Sequence, residues 1–214
     1  MYYHEQRERR EPREIQHVVM PPKDIRQSAL MYSYLSERDL DYELAISNGW
    51  YPTVARGPRV VIPCINSAKF NYWQARAMLD HPLRYDSPPI PRKDSIVFLW
   101  PRGADTLAWH EKNHSTGGSV VITEGPMDAL AAAEFMPAIA LMGGAPSQEV
   151  LSFVEKKTSE LGLYHWVIVP DNDNREMLDF FLQHDRGLSV VMPVGKDLAG
   201  MPAWERRKLL GRVA

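Results

Sequence analysis

Residues 119–128, SVVITEGPMD, constrain the chain more than any other stretch. Val120, Val121, Ile122 and Thr123 form an unbroken β-branched run, the pattern of a strand buried on both faces of a parallel sheet. Gly125 permits a sharp turn, and Pro126 suits a first helical turn, where no amide donor is needed. The following MDALAAAEFM is rich in strong helix formers. The expected order is strand, acidic turn, helix, with Glu124 at the carboxyl end of a central strand. Open α/β sheets keep their binding crevices at such ends.

A second acidic strand end follows. HWVIVPDNDN predicts a strand through Trp166–Val169, then Pro170, Asp171, Asn172 and Asp173. Carboxylates from two parallel strand ends can share one crevice. Glu124, Asp171 and Asp173 together have the oxygen-only donor chemistry of a site for a hard divalent cation. A single acid at a strand end is common; two in order, with a helix pattern between, are more specific. AIALMGG (138–144) reads as a further strand, and Pro146 or Ser147 opens a helix through Leu161. Then come a helix in REMLDFFLQHD, a strand in LSVVMP, the turn GKDLAG and a last helix in PAWERRKLLGRV. This alternation implies a parallel sheet with right-handed crossovers.

The 214 residues suffice for one large domain or two small ones, and 44% hydrophobic with 24% charged is ordinary for a globular protein. No apolar run approaches the about 18 residues of a membrane span. The opening MYYHEQRERREPRE lacks the apolar core of a signal peptide. Cys64 stands alone, which argues against a disulfide framework or a cysteine zinc ribbon. A cytoplasmic location is the expectation. With a net charge of −2, any nucleic-acid contact must come from local basic clusters.

Residues 1–24 mix both charge signs and read as a flexible, solvated arm. From Asp24 a helix is expected with Ile25, Ala29, Leu30, Tyr34 and Leu35 on its face. A second follows with Leu40, Leu44 and Ala45, ended by Asn48-Gly49. RVVIPCI, KFNYWQARAM and SIVFLW are strand-like. Between 56 and 102, Arg56, Arg59, Lys69, Arg76, Arg84, Arg92, Lys93 and Arg102 face only Asp80, Asp86 and Asp94, with Phe70, Tyr72, Trp73 and Tyr85 interleaved. A basic sheet with aromatics suits a phosphate backbone and stacked bases. A solvated strand face over an aromatic core fits the same composition. HEKNH (110–114) matches a zinc-protease pattern, but it is short, polar and at once followed by Ser-Thr-Gly-Gly, so a surface turn is the expectation.

The order EGPMD, LMGGAPS, DND, GKD resembles the Toprim domain, and the wider chain resembles the Toprim-class DNA primases of bacteria and bacteriophages. Upstream, the Trp73-x-x-Arg76 element and Arg84-Tyr85-x-x-Pro88 resemble the primase subdomain that precedes Toprim. The resemblance covers roughly residues 25–200. It implies an α/β fold, a Toprim parallel sheet flanked by helices, preceded by a smaller mixed α+β subdomain. The implied division is an arm at 1–24, a basic, β-rich, nucleic-acid-contacting subdomain at 25–102, and a Toprim catalytic domain at 103–214. Asn174-Arg175 replaces the usual Ala-Gly after the D-x-D, and Ala199 stands where many members carry a further acid. No zinc ribbon or helicase-binding region is matched.

The resemblance implies synthesis of short RNA primers on single-stranded DNA from ribonucleoside triphosphates, with magnesium or manganese as cofactor. Glu124, Asp171 and Asp173 are the implied catalytic and metal residues, with Asp128 in support and Asp197 as a more peripheral ligand. Arg59, Arg76, Arg84, Lys93 and Lys196 are the candidates for nucleotide and template phosphates. Asp128 also reads as a first-turn acid favourable to the helix dipole, and Lys196 as a solvated surface lysine. A replicative helicase or a separate zinc-binding module is a possible partner. Two rivals share these residues: a Toprim nuclease, and a non-catalytic nucleic-acid-binding accessory protein of replication or recombination.

Overall fold

The computed structural model describes residues 18–66, 71–89, 95–102, 118–142, 146–171, 175–183, 188–191 and 195–211. The arm before residue 18, Lys69, Lys93, the HEKNH segment and Asp173 lie outside the described residues.

Asp24 caps a 3-10 turn, Ile25–Gln27, by accepting from the Arg26 N–H at 3.1 Å, and α1 (Ser28–Ser36) follows. The buried face is Met31, Tyr34 and Leu35, whereas Ile25 is 72% exposed and Ala29 is also exposed. The expected helical spacing fails there because Ile25 belongs to the tighter 3-10 turn. In α2 (Tyr42–Ser47), the Asp41 carboxylate accepts from the Leu44 N–H at 3.0 Å, and Leu40, Leu44 and Ala45 are buried as expected. Gly49 closes the helix at φ +81°, a left-handed conformation that glycine adopts without a Cβ penalty. The Asn48 amide then brackets the Trp100 backbone, accepting from its N–H at 2.8 Å and donating to its carbonyl at 3.0 Å.

The strands are β1 (Tyr51–Thr53), β2 (Arg59–Asn66), β3 (Asn71–Ala77), β4 (Tyr85–Asp86), β5 (Ser95–Leu99), β6 (Gly118–Thr123), β7 (Ala138–Ala140), β8 (Leu163–Val169) and β9 (Leu188–Val190). Among the described residues they make one sheet in the order β4-β3-β2-β5-β7-β6-β8-β9, with β1 also on β2. The half from β1 to β5 is antiparallel, and β5 also pairs antiparallel with β7. From β7 onward the pairs are parallel. Residues ahead of α1 lie on this sheet, since Val19 and Pro21 offer their carbonyls to Trp73 Nε1 (3.0 Å) and the Tyr51 hydroxyl (2.9 Å).

The parallel half is covered on both faces. Val121, Ala138, Ala140, Val167 and Val169 pack with α1, α2 and α3 (Pro126–Ala133). The alternate residues Val120, Ile122, Ile139, Trp166 and Ile168 pack with α4 (Gln148–Glu160) and α5 (Arg175–Leu182). Burial of both faces explains why these strands read as continuous apolar runs. The β6–α3–β7 crossover runs one way from β6, and the β7–α4–β8 crossover returns past β6 to its other side. Right-handed connections in opposite directions place α3 and α4 on opposite faces, as observed. The direction therefore switches at β6, and the crevice beyond its carboxyl end is where such sheets bind ligands.

The last helix, α6 (Ala203–Leu210), locks onto the side carrying α3. Arg206 is fully buried and meets both Glu134 carboxylate oxygens at 2.9 and 3.0 Å. It also donates to the carbonyls of Met201 (2.6 Å) and Asp39. Asp39 sits at φ +54° and accepts from the Ala203 N–H through its carboxylate.

Candidate active site

A cavity of about 390 Å³ opens at that crevice. Its acidic wall is built by the strand ends: Glu124 after β6, Asp171 after β8, Asp128 in the first turn of α3, and Asp197 before the 3-10 turn Leu198–Gly200. Its basic wall comes from the antiparallel half: Arg76 on β3, Arg84 just ahead of β4, and Arg38 just beyond α1. Gln74 and Tyr85 also line the cavity.

Each wall is fixed by local bonds. The Glu124 carbonyl accepts from the Met142 N–H at 3.0 Å, extending the β6–β7 ladder into the turn. Met142 itself lines the cavity at φ +62°, a conformation that costs a non-glycine residue about 1–2 kcal/mol and that clusters at functional sites. The Thr123 hydroxyl donates to the Gly125 carbonyl at 3.0 Å, tightening the same turn. Asp128 accepts from the Ala199 N–H at 2.8 Å and so pins the Asp197 turn to α3.

On the basic side, Arg76 is buried, donating to the hydroxyls of Tyr34 (2.8 Å) and Tyr85 (2.7 Å) and lying 4.8 Å over the Tyr85 ring. Arg38 stacks 4.0 Å over the Tyr34 ring and donates to the Tyr34 carbonyl at 3.0 Å. Held this way, the guanidinium groups lose little rotamer freedom on meeting an anion. A second depression of about 410 Å³ adjoins and shares Arg38, Arg76 and Arg84.

Burial, reinforced by the nearby Asp197 charge, raises the Asp128 carboxyl to about 6, while the Ala199 N–H and Arg76 pull the other way. As pH rises from the ordinary 3.8 toward about 6, the unfolded chain releases this proton before the native one does. The native state then holds more protons, so stability falls with rising pH across that window. Asp128→Asn keeps an acceptor for Ala199 and removes the titrating charge. Thermal melts in chelator are expected to show the variant losing this slope, worth about 1–2 kcal/mol after solvent screening of a partly exposed group.

Of the residues singled out from sequence, the cavity gathers Glu124, Asp128, Asp171, Asp197, Arg76 and Arg84. Lys196 is exposed beside Asp197 and is not on the lining. Arg59 is elsewhere: it is 1% exposed, and its guanidinium is bonded within the β3–β4 hairpin. Tyr72 belongs to the core, not to a stacking surface. Arg38 was missed by sequence reasoning. Its only signal is the spacing Tyr34–Arg38 at a helix end, which favours a cation–aromatic contact.

The donor set on the acidic wall is all oxygen, which suits magnesium or manganese. Among the described residues no three His, Cys, Asp or Glu side chains close into a preformed metal cluster, and Asp173 is outside them. No described helix is long and apolar enough to cross a membrane.

A solved structure shares this architecture. The DnaG primase catalytic domain bound to ssDNA aligns at a TM-score of 0.55 and 15% identity, covering 90% of this chain and 72% of that one. The RNA polymerase domain of Mycobacterium tuberculosis primase DnaG, in complex with double-stranded DNA, aligns at a TM-score of 0.48 and 18% identity. That match covers 85% of this chain, which spans 63% of the mycobacterial one. No protein-family model and no curated protein matches the sequence. The mixed α/β sheet flanked by helices is thus the fold of a primase catalytic domain.

Proposed function

We propose that this chain is a Toprim-type DNA primase core, a nucleotidyltransferase that makes short RNA primers on single-stranded DNA from ribonucleoside triphosphates. The observation that carries this reading is one cavity with carboxylates on one wall and oriented arginines on the other. Phosphoryl transfer needs positioning and charge stabilisation more than covalent chemistry. Opposed acidic and basic walls supply both.

In this reading Arg38, Arg76 and Arg84 bind phosphate oxygens, and Arg76 keeps its orientation through Tyr34 and Tyr85. Glu124, Asp171 and Asp173, with Asp197 at the periphery, would hold magnesium or manganese. When bound, that ion supplies neutralisation of triphosphate charge and a lowered pKa for the attacking 3′-hydroxyl. Asp128 positions the Asp197 turn. Lys93, which lies outside the described residues, and Lys196, which is not on the cavity lining, remain candidates for the template backbone. The division into a 25–102 subdomain and a 103–214 Toprim domain belongs to the same proposal, and a replicative helicase or zinc-binding module is the partner class it implies.

The test is incubation of the chain with single-stranded DNA, labelled ribonucleotides and magnesium or manganese. Short RNA products in the wild type, lost in Glu124→Gln, support the proposal. Degraded DNA without RNA replaces it with a Toprim nuclease. Tight binding with neither product, also after adding helicase and zinc-module partners, replaces it with an accessory protein.

A further inference from the structure

Arg59 is a permanently charged side chain with almost no solvent contact and, among the described residues, no carboxylate among its hydrogen-bond partners. Its Nε donates to the Arg56 carbonyl (3.1 Å) and Nη1 to the Ala75 carbonyl (3.1 Å). Nη2 reaches the Leu83 carbonyl at 2.9 Å and His81 Nδ1 at 3.2 Å. The Leu83 N–H also donates to His81 Nδ1 at 3.0 Å. Nδ1 also lies 3.0 Å from the Leu83 carbonyl, so the imidazole is held to this turn in either tautomer: as acceptor from the Leu83 N–H and Arg59, or as donor to the Leu83 carbonyl. Burying an unneutralised guanidinium is costly, and the four hydrogen bonds to carbonyls and an imidazole make it tolerable only in one geometry.

That geometry belongs to the turn joining β3 to β4. Arg84 follows Leu83 directly, and the Arg84 carbonyl accepts from the Ala77 N–H at 2.9 Å. Arg84 is exposed and lines both the acidic cavity and the adjoining depression, where His81 forms part of the wall. An exposed turn without a core of its own samples many conformations unless it is tied from beneath. We propose that Arg59 and His81 are positioning residues: they hold the 78–84 turn so that Arg84 meets a phosphate of the bound nucleic acid. The inference deepens the proposed function by assigning the device that sets Arg84. It corrects the sequence expectation for Arg59, which acts through Arg84 and does not touch phosphate.

The test is a double-mutant cycle on binding of a short oligothymidylate, with amide exchange of residues 78–84 read in parallel. His81 is exposed, so His81→Ala keeps the fold where Arg59→Met would threaten it. His81→Asn retains an acceptor near the Nδ1 position. The expected result is faster exchange of the turn in His81→Ala, an affinity loss of about tenfold, and restoration by His81→Asn. Arg84→Ala, costly alone, then adds little in the His81→Ala background. Unchanged exchange, or an Arg84→Ala effect equally large in both backgrounds, overturns the inference. A coupled cycle in a chain that makes no RNA would sink the primase reading and leave the positioning role standing. RNA synthesis with an additive cycle does the reverse.

Discussion

Glu124→Gln is expected to lower RNA synthesis on single-stranded DNA about a thousandfold, with thermal stability changed by no more than about 1 kcal/mol. The side chain stands at the carboxyl end of β6, where the sheet reverses direction, and is only partly buried at the cavity wall. Its backbone is held independently of the carboxylate, by the Met142 N–H on the Glu124 carbonyl. The glutamine is isosteric and removes only charge. Positioned charge-stabilising groups contribute about 3–4 kcal/mol to a transition state, which corresponds to the predicted factor. Counting labelled RNA products per enzyme, beside a melting curve, measures both quantities. Undiminished synthesis would remove Glu124 from the chemistry.

Glu134→Ala is expected to cost about 3–5 kcal/mol of folding free energy, among the largest losses available to a single substitution outside the cavity. Arg206 has no solvent contact, and Glu134 supplies both oxygens that neutralise it. Burial raises the Glu134 carboxyl, with Arg206 acting against that shift. Truncating the acid leaves a guanidinium in the interior beside the carbonyls of Met201 and Asp39. At roughly 2–4 °C per kcal/mol for a chain of this size, the melting temperature falls by about 10 °C. Replacing both partners, as Glu134→Leu with Arg206→Met, is expected to recover most of the loss, because no unpaired charge remains. Urea melts of the single and double variants decide the matter. A small loss in Glu134→Ala would mean that water reaches Arg206.

The parallel half of the fold was legible because its physics is local. Continuous β-branched runs, Pro126 at a helix start and Ser147 capping the Val150 N–H each point to one conformation. Ordered alternation then places Glu124 and Asp171 at neighbouring strand ends without any need for distant contacts. The antiparallel half was legible as strands but not as faces. After Arg59 the strand VVIPCI is apolar throughout, with no alternation to tell that Arg59 turns inward beneath the β3–β4 turn. Arginine beside other basic residues reads as surface, and only the hairpin carbonyls that receive it reveal otherwise. Arg38 was hidden for the opposite reason. It sits in the charged run ERDLD, which reads as solvated, and its role depends on Tyr34 and on a turn held by Arg206 through Asp39. Contacts across such sequence distances leave no periodic trace.

In the proposed function, acids from separate strand ends serve one cation. Manganese binding, followed by the electron paramagnetic resonance signal of the free ion, tests it most directly in the wild type, Glu124→Gln and Asp171→Asn. The wild type is expected to bind manganese, and each substitution alone to weaken binding by about tenfold or more. Equal binding by all three proteins would contradict it.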